Sequence, residues 1–157
     1  MAREIERKYL VINSSFKNLS KGVLYRQGYL STDTRTTVRI RTVGEKAYIT
    51  IKGADRGISR LEYEYSIPVK DANEMLNKLC KKPIIEKYRY EFEYEGHTWV
   101  VDEFKGENEG LIVAEIELES EEEEFVKPDF IGSEVTQDYR YRNSNLVDNP
   151  YKKWDSI

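Results

Sequence analysis

One cysteine, one histidine and four prolines stand among 157 residues. The single thiol, Cys80, excludes an intrachain disulfide framework and a cysteine zinc cluster, and it points to a reducing, cytoplasmic setting. No apolar run approaches the ~20 residues that a helix needs to cross a bilayer, so no membrane association is expected. The first ten residues hold five charges (Arg3, Glu4, Glu6, Arg7 and Lys8) and no apolar stretch, which reads against a secretory leader. There is no excess of base either. The 29 acids against 25 bases leave a net charge of −4, which argues against general nucleic-acid binding. That balance still allows a small anion held by a local cluster of bases. The length suits one domain, 1–157, large enough to bury its own core.

What the chain has in quantity is tyrosine and charge. Twelve tyrosines accompany 34% charged residues, with only nine glycines. Aromatic and charged residues in alternation describe strands with one apolar and one charged face. Such strands read at REIERKYLV, VLYRQGYLS, TTVRIRTV, KAYITIKG, SRLEYEYSIPV, IEKYRYEFEYEG, HTWVVDEFKG and LIVAEIELE. Gly44-Glu45 and Gly96 mark two hairpin turns. KDANEMLNKLCKKP predicts a helix, with Asp71 and Glu74 as a capping box, Met75, Leu76, Leu79 and Cys80 on its apolar face, and Pro83 as its stop. The helix is expected on the outside of the sheet or across one mouth. Glu119–Glu124 reads as a solvated acidic turn or short helix. DYRYRNSNLVDNP predicts a further short helix, stopped near Asn149-Pro150. Eight strands without long crossovers imply an antiparallel sheet that closes on itself.

Strand parity then sorts the charges into rows. Glu4, Glu6 and Lys8 share one face of the first strand. Arg39 and Arg41, Lys52, Glu62 and Glu64, Lys87 and Arg89, and Glu115 and Glu117 do the same on later strands. Two arrangements fit: charged rows in solvent around an apolar core, or charged rows turned inward. Parity alone favours the first, because charge is rarely buried. The rows weigh against it by running in pairs of one sign, whereas a face chosen for solubility mixes signs. Like charges ~7 Å apart along a strand repel strongly in a low-dielectric cavity. Acidic pairs make sense around a divalent cation and basic pairs around a polyanion. Asp102 lies in a mixed row with Val100 and Phe104, which leaves its side open. His97, beside Gly96, reads as a loop residue rather than a catalyst, and Cys80 as a buried helix residue.

The segment EIERK resembles the Glu-x-Glu-x-Lys signature of the CYTH, or triphosphate tunnel metalloenzyme, superfamily. The resemblance continues in order through RIR at 39–41, Lys52 of TIKG, EYE at 62–64, KYR at 87–89, VDEF at 101–104, AEIELE at 114–119 and the tail EVTQDYRYRN. It implies a mainly β fold: a closed eight-stranded antiparallel barrel with a polar tunnel and a few peripheral helices. It also implies metal-dependent hydrolysis of inorganic triphosphate. Lys8, Arg39, Arg41, Lys52, Lys87 and Arg89 would bind the substrate, arginine through forked contacts and lysine as point charge. Arg140 would add a further phosphate contact in preference to Arg142. Glu4, Glu6, Glu62, Glu64, Glu115 and Glu117 would hold Mg²⁺ or Mn²⁺, since oxygen ligands suit these hard ions. Glu4, Glu6, Lys8 and Lys52 are expected to take part in the chemistry. The same resemblance admits class IV adenylate cyclases and thiamine or nucleoside triphosphatases, and a binding module for polyphosphate or nucleotide is the non-enzymatic alternative. A homodimer is left open.

Overall fold

The computed structural model describes residues 3–154, whose elements follow the alternating pattern closely. Strands β1 (Arg3–Val11), β2 (Val23–Asp33), β3 (Thr36–Val43), β4 (Lys46–Gly53) and β5 (Ser59–Ser66) precede helix α1 (Val69–Lys78). Strands β6 (Ile85–Tyr94), β7 (His97–Phe104), β8 (Ile112–Glu117) and β9 (Ile131–Glu134) lead to a short helix α2 (Asn143–Asp148). The β6–β7 turn has Glu95 at φ 49° and Gly96 at φ 80°, the two positive values that let a two-residue turn match the strand twist.

The strands form one antiparallel sheet in the order β5-β4-β3-β2-β6-β7-β8-β1-β9. Pairing of β1 with β5 through Glu4 and Arg60 closes eight of them into a ring. The ninth strand is absent from the sequence reading. Its four residues, Ile131–Glu134, are too short to show a period of two, and they pair with the far end of β1.

The apolar rows face outward and are covered there. Phe16 and Phe130, from the connecting segments, join Tyr9, Phe92, Trp99, Val101, Ala114 and Ile116 over the outside of β1, β6, β7 and β8. Helix α1 covers β3 and β4, placing Ala72 and Leu76 on Ile40 and Ala47. The helix begins after Pro68, three residues before Asp71, so the expected capping box does not form. Leu79, at the C-cap, is exposed, and Ala72 takes the buried position that the spacing had given it. Cys80 is buried just beyond the helix. A Cβ on Gly28 of β2 would lie 2.8 Å from the Cys80 Cβ, so glycine there permits the close approach. Ile40 is fully buried under α1. Ile40→Ala should therefore lower stability by about 3 kcal/mol with little change in the chemistry inside the ring. Thermal unfolding by circular dichroism checks this, and an unchanged midpoint would mean that α1 is not seated there.

A third apolar cluster closes one end of the ring. Leu146 and Val147 of α2 pack on Tyr29, Ile85, Phe104, Leu111 and Val113, and Tyr141, Tyr151 and Trp154 flank them. The expected short tail helix thus forms a floor, which makes the interior a cup rather than an open tunnel. Glu119–Glu124 is an exposed turn with no helix.

Candidate active site

A cavity of about 340 Å³ occupies the cup above α2. Its wall receives Glu4, Glu6 and Lys8 from β1, Arg39 and Arg41 from β3, Lys52 from β4 and Glu62 and Glu64 from β5. Lys87 and Arg89 come from β6, and Glu115 and Glu117 from β8. The charged rows therefore turn inward, as the like-charge pairs suggest. Ring order separates them into two arcs. The acids crowd β8, β1 and β5, whereas the arginines and Lys87 occupy β3 and β6 on the facing wall. Lys52, on β4, stands at the border between the arcs, whereas Lys8, on β1, stands among the acids beside Glu115.

Within the acidic arc, Glu4 accepts from Lys52 at 3.0 Å and pairs with Arg60 at 3.3 Å. Burial alone would raise the Glu4 pKa, but Lys52 and Arg60 outweigh it and lower the value. Glu6 has less relief. Burial, then the charges of Glu115 and Glu4, outweigh the pull of Lys52 and hold its pKa well above the ordinary carboxylate value. Glu115 itself is held well below that value, because Lys8, 4.0 Å away, and the hydrogen bond with Glu6 overcome its burial. Glu117, opposite Glu6 in the β1–β8 register, is raised by burial and by Glu4 and Glu62. Lys52 also reaches Glu62 at 3.4 Å, and Thr50 donates to Glu64 at 2.7 Å.

In the basic arc, Arg39 donates to Thr50 at 3.0 Å, while its buried Nε has no hydrogen-bond partner among the described residues. Arg41 and Arg89 stack on the same Tyr25 ring, at 5.0 and 4.8 Å from its centroid. Asp102, whose side was left open, faces inward behind the cations. It grips Arg89 through two 2.8 Å hydrogen bonds and Lys87 through a third contact of 2.8 Å. Burial would raise Asp102, but Arg89 and Lys87 bring it to about 2. Lys87 is pushed down to about 7 by burial, against the pull of Asp102.

Arg140 lies outside the cavity. Asp138 accepts from its backbone and side chain, and its guanidinium sits against Tyr141 and Trp154. Arg142, two residues on, lines the cup instead and pairs with Asp55. His97 is not a loop residue: it opens β7 and bonds Glu123 at 2.6 Å. Arg60 was missed, although it shares the parity of Glu62 and Glu64. Gln27 and Asn143 were missed as well. They are uncharged, and no periodicity announces them.

Among the described residues, no three acidic, histidine or cysteine groups converge into a ready-made metal cage. The carboxylates instead form an open arc of hard oxygen donors in which Glu6 and Glu115 meet as like charges. A divalent cation would relieve that conflict, completing its shell with water or with oxygens of a ligand, as Mg²⁺ commonly does.

A model of the CYTH domain matches residues 2–151. An inorganic triphosphatase of Acetivibrio thermocellus is 60% identical over 154 residues, covering 98% of this chain and 99% of that protein. One from Nitrosomonas europaea is 38% identical over 148 residues, covering 92% and 96%. The crystal structure of an inorganic triphosphatase, 35% identical, superimposes with a TM-score of 0.68 over 94% of this chain and 95% of its own.

Proposed function

The chain belongs to the CYTH domain family, and on that premise we propose that it is a divalent-metal-dependent enzyme hydrolysing inorganic triphosphate to pyrophosphate and phosphate. The observation that carries this reading is the split wall. A row of cations faces a row of carboxylates across one cup, and a buried guanidinium nitrogen of Arg39 lacks a partner. A linear polyanion laid along the basic arc would find Arg39, Arg41, Lys87 and Arg89 in reach, with Lys52 between it and the acids and Lys8 among them. Asp102 fixes the directions of Lys87 and Arg89. Its charge offsets only part of theirs.

Glu4, Glu6, Glu62, Glu64, Glu115 and Glu117 would hold Mg²⁺ or Mn²⁺. When bound, the ion supplies charge neutralisation at the terminal phosphoryl group and a site for water. The chain's own residues do the rest. The basic arc holds the leaving pyrophosphate, Lys8 favours the ionised form of Glu115 and Lys52 that of Glu4, and the floor of α2 excludes bulk water from below. Phosphoryl transfer asks mainly for such positioning and neutralisation. Water attacks the terminal phosphorus, the bridging P–O bond breaks, and the two products share the proton released. A cytoplasmic setting suits the lone buried Cys80.

The test is product analysis by ion chromatography after incubation with triphosphate and Mg²⁺ or Mn²⁺. Equimolar phosphate and pyrophosphate are expected. Tight calorimetric binding of triphosphate with no products would replace the enzyme by a binding module.

A further inference from the structure

We propose that Asn143 is a positioning residue for the phosphate-binding cations, tying the docking of helix α2 to the alignment of Lys87 and, through Gln27, of Arg41. The proposal rests on the triphosphatase reading above. Asn143 is the first residue of α2, after an N-cap at Arg142 that makes no side-chain capping bond. An asparagine at a helix start ordinarily bonds local backbone or faces water. This one turns into the cup, where its Oδ1 accepts from Lys87 Nζ at 3.0 Å and from Gln27 Nε2 at 3.1 Å. Gln27 is fully buried, and its Oε1 accepts from Arg41 Nε at 3.2 Å. The amide orientation is forced, because an ammonium only donates and must meet an oxygen. Two residues earlier, the Tyr141 carbonyl accepts from Lys8 Nζ at 3.2 Å.

Cations from β1, β3 and β6 thus lean, directly or through Gln27, on one short stretch at the floor of the cup. The chemistry of the acceptors matters. Asp102 steadies Lys87 and Arg89 with a negative charge that offsets part of theirs. Amide and carbonyl oxygens steady Lys8, Lys87 and Arg41 without neutralising them, so the field at the basic arc stays available to a polyanion. Leu146 and Val147, buried three and four residues further along α2, lock Asn143 at its height above the floor.

The experiment is steady-state hydrolysis of inorganic triphosphate with Mg²⁺ by the wild type and by Asn143→Leu, Asn143→Asp and Gln27→Met. Asn143→Leu removes the acceptor and should raise KM about 10-fold or more with a smaller fall in kcat, the size expected for one charge-assisted hydrogen bond. Asn143→Asp keeps an oxygen in place but adds a negative charge that offsets part of the field of Lys87, so it should also raise KM, about 3-fold or more, with kcat nearly unchanged. Gln27→Met lies on the strand wall, away from α2, and should also raise KM, which separates loss of the relay from loosening of the helix. Asn143→Leu combined with Lys87→Met should cost less than the sum of the two single changes. Unchanged KM in both Asn143→Leu and Gln27→Met would overturn the proposal. So would an Asn143→Asp variant with the KM of the wild type, because the neutrality of the acceptor would then count for nothing. A wild type without hydrolysis would bring down the triphosphatase reading instead, and calorimetric titration of the same variants with triphosphate would still decide the role of Asn143.

Discussion

Glu6→Gln should lower kcat on the order of 10²–10³-fold while raising the thermal stability of the metal-free protein. Glu4→Gln, two residues away in the same row, should also lower turnover but should destabilise the fold by about 3 kcal/mol. The difference lies in their neighbours. Glu4 is the partner of two cations, Lys52 and Arg60, and its removal leaves each with only a longer contact, to Glu62 and Asp55, in a largely buried site. Glu6 faces Glu115 and Glu4, so its charge is a cost to the empty fold. A raised carboxylate pKa means that the folded chain keeps a proton which the unfolded chain loses above its ordinary value of 4.5. The penalty from Glu6 is therefore fully present above its folded pKa and disappears as pH falls toward 4.5. The stability advantage of Glu6→Gln should grow as pH rises above 4.5 and shrink as the solution is acidified. Glu4 runs the other way. Its lowered pKa contributes stability above 4.5 that is lost as pH falls through the folded value. Unfolding midpoints in chelator across pH, with phosphate release in Mg²⁺, measure both effects. Turnover of the wild type should vanish in excess chelator and return with Mg²⁺ or Mn²⁺. Full activity in chelator, or a Glu6→Gln midpoint lowered as far as that of Glu4→Gln, would refute this account of the acidic arc.

The strands were legible because a period of two is written in each of them, and the like-charge pairs were legible because nothing on a solvated face requires them. Parity places Glu62 and Lys52 on inner faces, but only the ring order shows that acids and bases form separate arcs. That order depends on which strands meet, as when β2 pairs with both β3 and β6. The floor was hidden for another reason. Tyr29, Ile85, Phe104 and Val113 lie on inward rows yet are apolar, so they look like breaks in the charged pattern until α2 is seen to cover them. Arg140 and Arg142 each follow a tyrosine in the run YRYR. Asp138, which turns Arg140 outward, works through a local hydrogen-bonded turn that no periodicity encodes. Gln27 and Asn143 act by hydrogen bonds between neutral groups distant in sequence, and composition gives no sign of either.

Inorganic triphosphate should be hydrolysed with kcat/KM at least ~100-fold above that for ATP, a gap of about 2.7 kcal/mol in transition-state binding. A hydrolase and an adenylate cyclase need the same cations around a triphosphate and differ at the attacked atom. The hydrolase directs water at the terminal phosphorus. The cyclase sets the ribose 3′-hydroxyl against the α-phosphorus, which requires a grip on the nucleoside. The cup offers little for such a grip. Among the described residues, Tyr29 is the sole aromatic residue on its lining and Val100 the sole aliphatic one, whereas Tyr48 is not part of that lining. Tyr29 is itself committed to the apolar floor, beside Ile85 and Leu146. A base ring gains about 1–3 kcal/mol from an aromatic platform, and none stands free here. With α2 closing the other end, the nucleoside of a bound ATP would have to remain at the open mouth, near Glu62, Glu64 and Glu117, where it gains no stacking and meets negative charge. Binding energy at this site therefore comes from the phosphates, and the nucleoside adds cost rather than affinity. Chromatography of the products from each substrate, under Mg²⁺ and under Mn²⁺, gives both the ratio and the bond cleaved. Cyclic AMP and pyrophosphate as the main products from ATP, formed at rates that match triphosphate hydrolysis, would mean that a nucleoside grip exists outside the lining described and would turn the assignment to the cyclase.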